Sequence, residues 1–194
     1  MDHWRYYLRG RVLEAFGGKS AAIAAYLEAL QALPSFARAA GRAAYLLASQ
    51  QRYDEAEPLF RRALQTEPDN AATHFNLGFA LDKLGRHEDA VAALREATRL
   101  RPGLDRAWYG LGMAQAALGR HAEAAAALHE AATLQPMNPH AWYALGMAHH
   151  ALGNDARLKE VAVHLVRFDP RMTRRLIRES GASDLDYLVK DLVV

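Results

Sequence analysis

Residues 71–103, AATHFNLGFALDKLGRHEDAVAALREATRLRPG, hold two helical patterns separated by one glycine and closed by one proline. Phe75, Leu77, Gly78, Leu81 and Leu84 recur at helical spacing, which predicts a helix over 71–84. Gly85 breaks it, since glycine takes the positive φ of a helix C-cap without strain. Ala90, Val91, Leu94, Ala97 and Leu100 lie on one stripe of a second helix over 88–100, and Pro102 ends it.

The same unit recurs on both sides. Pro34, Pro68, Pro102, Pro136 and Pro170, five of the seven prolines, are 34 residues apart. Gly10, Ala44, Gly78, Gly112 and Gly146 keep the same period, as do Gly17, Gln51, Gly85, Gly119 and Gly153. Ala22, Ala56, Ala90, Ala124 and Leu158 form a third set. The first and third sets fit close helix crossings, the second the turn between two helices. A fixed period of this length marks a repeat architecture, whose units bury their apolar faces on one another. Trp108, Leu111, Gly112 and Leu118 open the next unit, and Trp142, Leu145, Gly146 and Leu152 the one after. Asn138 and Pro139 read as the N-cap and first residue of a helix. Pro58 falls near the first turn of a second helix, which is expected to survive it.

This unit resembles the tetratricopeptide repeat. The Trp-x-x-Leu-Gly runs at 108–112 and 142–146, the in-step alanines and the closing proline carry the resemblance, as does the segment 53–64 with Ala56, Glu57, Pro58, Leu59 and Phe60. It covers residues 3–170 and is strongest over 71–153. It implies an all-α, right-handed α-solenoid of five helix-turn-helix repeats, at 3–36, 37–70, 71–104, 105–138 and 139–172. The end units depart from the pattern, with Tyr6 and Arg9 in the first, Ala40, Ala43 and Ala44 in the second, and Leu158 in the fifth. End units have one neighbour only, so departures are expected there.

Residues 171–194 follow as capping or docking helices. One helix is predicted over 173–180, ended by Gly181, and another over 183–192, capped by Ser183 with Asp184 and Asp186 in its first turn. Its stripe of Leu185, Leu188, Val189 and Leu192 either covers the open end of the solenoid or docks on a partner or a second copy.

The chain is 51% hydrophobic and 24% charged, with net charge +2 and no cysteine, an ordinary globular balance without disulfide or thiolate chemistry. No apolar run approaches the ~18 residues of a membrane span. Residues 1–11 lack the apolar stretch of a secretory signal, so a cytoplasmic location is expected. Arg171, Arg174, Arg175 and Arg178 cluster at helical spacing, followed by Glu179, Asp184, Asp186 and Asp191. They read as a solvated face. Without interleaved aromatics, a nucleic-acid patch is the weaker reading.

The resemblance implies a concave groove lined by the first helices. Projecting that register gives a candidate partner-binding set: Tyr7, Arg38, Arg42, Tyr45, Phe75, Asn76 and Phe79, then Lys83, Arg106, Tyr109, Met113, Tyr143 and Met147. Trp4, Arg11, His140 and His150 project to the same side. Tyr45, Phe79, Met113 and Met147 are in step, and so are Phe75, Tyr109 and Tyr143, with Tyr7 in the same register. Large apolar side chains recurring on a solvated face mark an interaction site, unless a neighbouring helix or the tail covers them. Arg38, Arg42, Asn76 and Arg106 stand where some members of the family hold a peptide carboxylate. Arg42 replaces a typical asparagine, and Gly110 a second basic residue. The expected ligand is an extended or helical peptide of acidic character.

No metal or cofactor is expected. His149 and His150 are adjacent and point about 100° apart on a helix. His87 and His121 sit in step with Tyr53 at a turn and read as structural, while His140 and His150 lack a third ligand. There is no glycine-rich phosphate loop, nucleophile elbow or HExxH motif. The expectation is a non-enzymatic module that binds a peptide or partner protein, as an adaptor, co-chaperone or assembly factor. The alternatives are a self-assembling scaffold using the tail, hence a homo-oligomer, and nucleic-acid binding through the arginine cluster.

Overall fold

A computed structural model describes residues 2–190. Its helices are α1 (Asp2–Ala15), α2 (Lys19–Ala32), α3 (Ala37–Ser49), α4 (Tyr53–Thr66), α5 (Ala71–Lys83), α6 (His87–Leu100), α7 (Asp105–Ala117), α8 (His121–Leu134), α9 (Pro139–Ala151), α10 (Asp155–Leu165) and α11 (Pro170–Ser180). A short 3-10 helix over Ser183–Leu188 follows, and the described residues contain no strand. From α4 to α10 every helix starts 34 residues after its counterpart in the preceding pair.

The chain divides into two compact units, Met1–Arg101 and Pro102–Val194. In the first, α1 packs on α2, α3 on α4 and α5 on α6, with α2 against α3 and α4 against α5. In the second, α7 packs on α8 and α9 on α10, with α8 against α9, and α11 lies on both α9 and α10.

The repeated small residue lets each helix pair close. A Cβ at Gly78 would stand 2.5 Å from Leu94 Cγ, and one at Gly112 2.5 Å from Leu128 Cγ. At Gly10 it would meet the Tyr26 ring at 2.6 Å. Tyr26, Leu94 and Leu128 are each buried against the glycine sixteen positions before them, and Phe60 is buried at the same register position of the second pair. The fifth pair has Ala162 at that position. There Leu176 of α11 comes to Gly146 instead, its methyls 2.8 Å from where a Cβ would lie.

The turn position takes positive φ throughout. Gly17, Gly85, Gly119 and Gly153 adopt it, and Gln51 is held in the same region at φ 62°. As expected, Asn138 caps α9 by accepting the His140 N–H at 3.1 Å, and Pro139 is its first residue. Helix α4 continues through Pro58, which sits in the second turn rather than the first. Its ring removes the N–H that would otherwise bond the Asp54 carbonyl four residues before it.

Two expectations at the C-terminal end are corrected. Pro170 does not close a second helix: α10 stops at Leu165, and Pro170 is the first residue of α11. Asp169 caps that helix, accepting the Met172 N–H at 2.8 Å. The helix predicted over 183–192 is a six-residue 3-10 helix, and Ser183 makes no capping bond, the N-cap residue being Ala182. Asp191 and Leu192 lie outside the described residues. Leu176, Ile177, Leu185 and Val189 bury themselves with Leu158 and Leu165, so this segment is spent on its own chain's core.

Candidate functional site

In the first unit, the expected residues sort into three environments. Tyr7 is not a groove residue: it is buried, because Trp4, Tyr26 and Phe36 enclose it with ring centroids 5.2–5.7 Å away. Arg42 is half-buried and engaged, its Nη1 3.2 Å from Glu14, which also accepts the Tyr26 hydroxyl at 2.7 Å. Burial and the Glu14 carboxylate push the Tyr26 phenol up, so it stays a donor. Arg38 is exposed, with its guanidinium 5.9 Å from the Trp4 ring centroid.

Arg38, Arg42 and Tyr45 share one face of α3, spaced by four and three residues. Phe75, Phe79 and Lys83 are spaced by four residues along α5, with Asn76 beside them. Tyr45 and Phe79 remain exposed. Lys83 Nζ stands 5.3 Å from the Phe79 ring centroid, and Tyr53 meets the same ring edge-on at 6.1 Å. Phe75 and Asn76 are half-buried.

In the second unit, Arg106, Tyr109 and Met113 lie along α7, Tyr143 and Met147 along α9. Arg106 and Met113 are exposed, while Tyr109, Tyr143 and Met147 pack half-buried against the core. Burial pushes the Tyr109 phenol up. Tyr143 is covered by α11. The Arg175 guanidinium lies 4.8 Å from its ring centroid, its hydroxyl donates to Glu179, and Arg175 Nε reaches Glu179 at 2.9 Å. Burial first, then Glu179, pushes the Tyr143 phenol up. The Tyr143 hydroxyl and Arg175 hold the Glu179 carboxyl below the usual range.

Sequence reasoning did not anticipate these pairings. The arginine cluster is not a uniform cationic face: Arg175 serves Glu179, and Arg174 Nη2 donates to the Val189 carbonyl at 3.2 Å. A second recurring lock was also missed. The Trp108 and Trp142 indoles donate to the carbonyls of Pro102 and Pro136 at 2.7 and 2.8 Å. His74, in step with both, places Nε2 2.8 Å from the Pro68 carbonyl. The shared six-residue offset between ring and proline was the available signal. Among the described residues, no three His, Asp or Glu side chains converge to hold a metal ion, and no helix is long and apolar enough to cross a membrane.

Models of the tetratricopeptide repeat match residues 7–72, 47–116 and 114–153. The chain belongs to the tetratricopeptide-repeat family. The fold of this family typically serves as a protein-interaction scaffold. No curated protein matches the sequence significantly. Among solved structures, the chain is similar to YrrB, described as a TPR protein with an unusual peptide-binding site, at 24% identity and TM-score 0.82, over 91% of this chain and 90% of that one. MamA from Desulfovibrio magneticus RS-1 aligns at 19% identity and TM-score 0.77, over 92% and 96%. PilF of Pseudomonas aeruginosa aligns at 21% identity and TM-score 0.70, over 98% and 93%. At these identities the likeness is one of fold: an all-helical tetratricopeptide solenoid.

Proposed function

We propose that this chain is a non-enzymatic adaptor or assembly factor of the cytoplasm that takes a peptide of acidic, partly apolar character on its first helices. One observation carries the reading. The register position of Tyr45, Phe79 and Met113 stays exposed in three successive first helices, at 49%, 43% and 41%. A solvated helix face has no use for a large apolar residue repeated there. The exposed cations Arg38 and Lys83 share those helix faces, which favours carboxylates on the ligand. A peptide-binding site on a protein of the same fold, YrrB, supports the choice of ligand class.

The test is a panel of acidic, neutral and basic peptides carrying one aromatic residue, read by fluorescence anisotropy. Acidic members should bind, and a double variant Tyr45→Ala, Phe79→Ala should weaken them at least tenfold, about 1.4 kcal/mol, with an unchanged circular dichroism spectrum. Equal binding by both proteins would overturn the site, and equal binding of all three peptide classes would overturn the acidic preference.

A further inference from the structure

A cleft of about 640 Å³ lies between α8, α9 and α10, walled by Ala125, Leu145 and Val161 and entered by His129, His149 and His164. His149 holds the register position that Leu47 and Leu81 occupy in the second and third pairs, where both are buried. Its Nδ1 is closed to solvent and meets no hydrogen-bond partner among the described residues. A register position that is leucine in the second and third pairs here carries a half-buried imidazole with one ring nitrogen left unpartnered.

The surrounding charges do not welcome a proton. His129 from α8 and Arg157 from α10 oppose an imidazolium, and Glu160 from α10 favours one. Glu160 is already engaged, accepting from Arg157 Nη1 at 2.6 Å. His164 of α10 stacks on Trp142 at 4.1 Å between centroids and adds a further titratable ring to the cleft. From α7, Tyr109 reaches the same core as a neutral phenol. From α11, Arg175 and Glu179 close on Tyr143 and on each other. On α9 itself His150 is exposed.

We propose that His149 makes the fifth helix pair acid-releasable: adding a proton there loosens α9 from α10 and with them the α11 cap packed on both. Burial, then Arg157, lowers the His149 pKa below its ordinary value near 6.5. The fold therefore prefers the neutral ring. Its contribution is complete above the unfolded pKa and is lost as pH falls from there to the folded pKa, below which the loss is constant. Each unit of depression corresponds to about a tenfold loss in the folding equilibrium.

The full chain tests this without a ligand. Imidazole titration by NMR should place His149 below about 6.5. Hydrogen exchange at about pH 7.5 and about pH 5.5, corrected for intrinsic rates, should show α9, α10 and α11 losing protection in acid. His149→Leu restores the residue used at Leu81 and should remove most of that loss. His149→Gln keeps a polar side chain without a titrating one and should remove it too, which covers the case in which leucine repacks poorly. A His149 titrating at or above the ordinary value, or both variants retaining the acid loss, would overturn the proposal.

Discussion

The third and fifth helix pairs occupy the same register, yet they close in different ways. In the third, α5 and α6 complete each other: Leu94 fills the space over Gly78, and Leu81 lies buried beneath. In the fifth, α10 stops three residues short of the length of α6, Ala162 stands where Leu94 would, and His149 stands where Leu81 would. The gap over Gly146 is filled by Leu176 from α11. An internal repeat is finished by its own sequence, and the last one is finished by a segment that lies outside the period.

The sharpest way to break this comparison is Leu176→Ala. Leu176 is fully buried, so the substitution should destabilise the second unit by about 2–5 kcal/mol, as Leu94→Ala should the first. Denaturant midpoints of the two variants measure both. A cost below about 1 kcal/mol for Leu176→Ala would show that α11 rests on the fifth pair without completing it.

The glycines separate the two regions more finely. Alanine at Gly78 must displace Leu94 Cγ, a branch atom near the backbone, and also presses on the Ala90 carbonyl at 3.3 Å. Overpacking of this kind costs about 1–3 kcal/mol, partly offset by the ~1 kcal/mol helix preference of alanine over glycine. At Gly146 the atoms nearest the new methyl are side-chain ends, the Leu176 methyls at 2.8 Å and Val161 Cγ1 at 3.3 Å, which yield more readily than a branch atom or a backbone carbonyl. Gly78→Ala should lower the denaturant midpoint clearly and Gly146→Ala by less. The reverse order would mean that the fifth pair is the more tightly closed of the two.

This contrast also explains what the sequence disclosed. Local chemistry was readable: the glycines under Leu94 and Leu128 and the positive-φ turns, which keep the 34-residue period, and the Asn138 cap, which does not. Pairings set by three-dimensional neighbours were not. Glu14 reaches Arg42 across 28 residues, and Glu179 reaches Tyr143 across 36, so both groove candidates are engaged in ways no local pattern shows. Tyr7 projected to the groove by register, but Trp4, Tyr26 and Phe36 pack around its ring instead. The signal for His149 was present. Leu47, Leu81, Gln115 and His149 are in step, and a polar residue entering a leucine column marks a site.

The smallest expected effect lies at the inter-helix turn, where the second pair departs from all the others. Gln51 adopts φ 62° where its counterparts are glycine, and the left-handed region costs a residue with a Cβ about 1 kcal/mol. Gln51→Gly removes that strain but frees the unfolded chain, an opposing entropy of about 0.4–1 kcal/mol. The net gain should therefore be a few tenths of a kcal/mol and at most about 0.6. Gly85→Ala is its mirror image. A Cβ at Gly85 meets nothing within 4 Å, so any loss of stability comes from the backbone alone. Urea midpoints should rise slightly for the first variant and fall for the second. If Gln51→Gly instead destabilised the chain, the side chain would be contributing a contact worth more than the strain, and the second turn would be held by its sequence and not merely tolerated by the repeat.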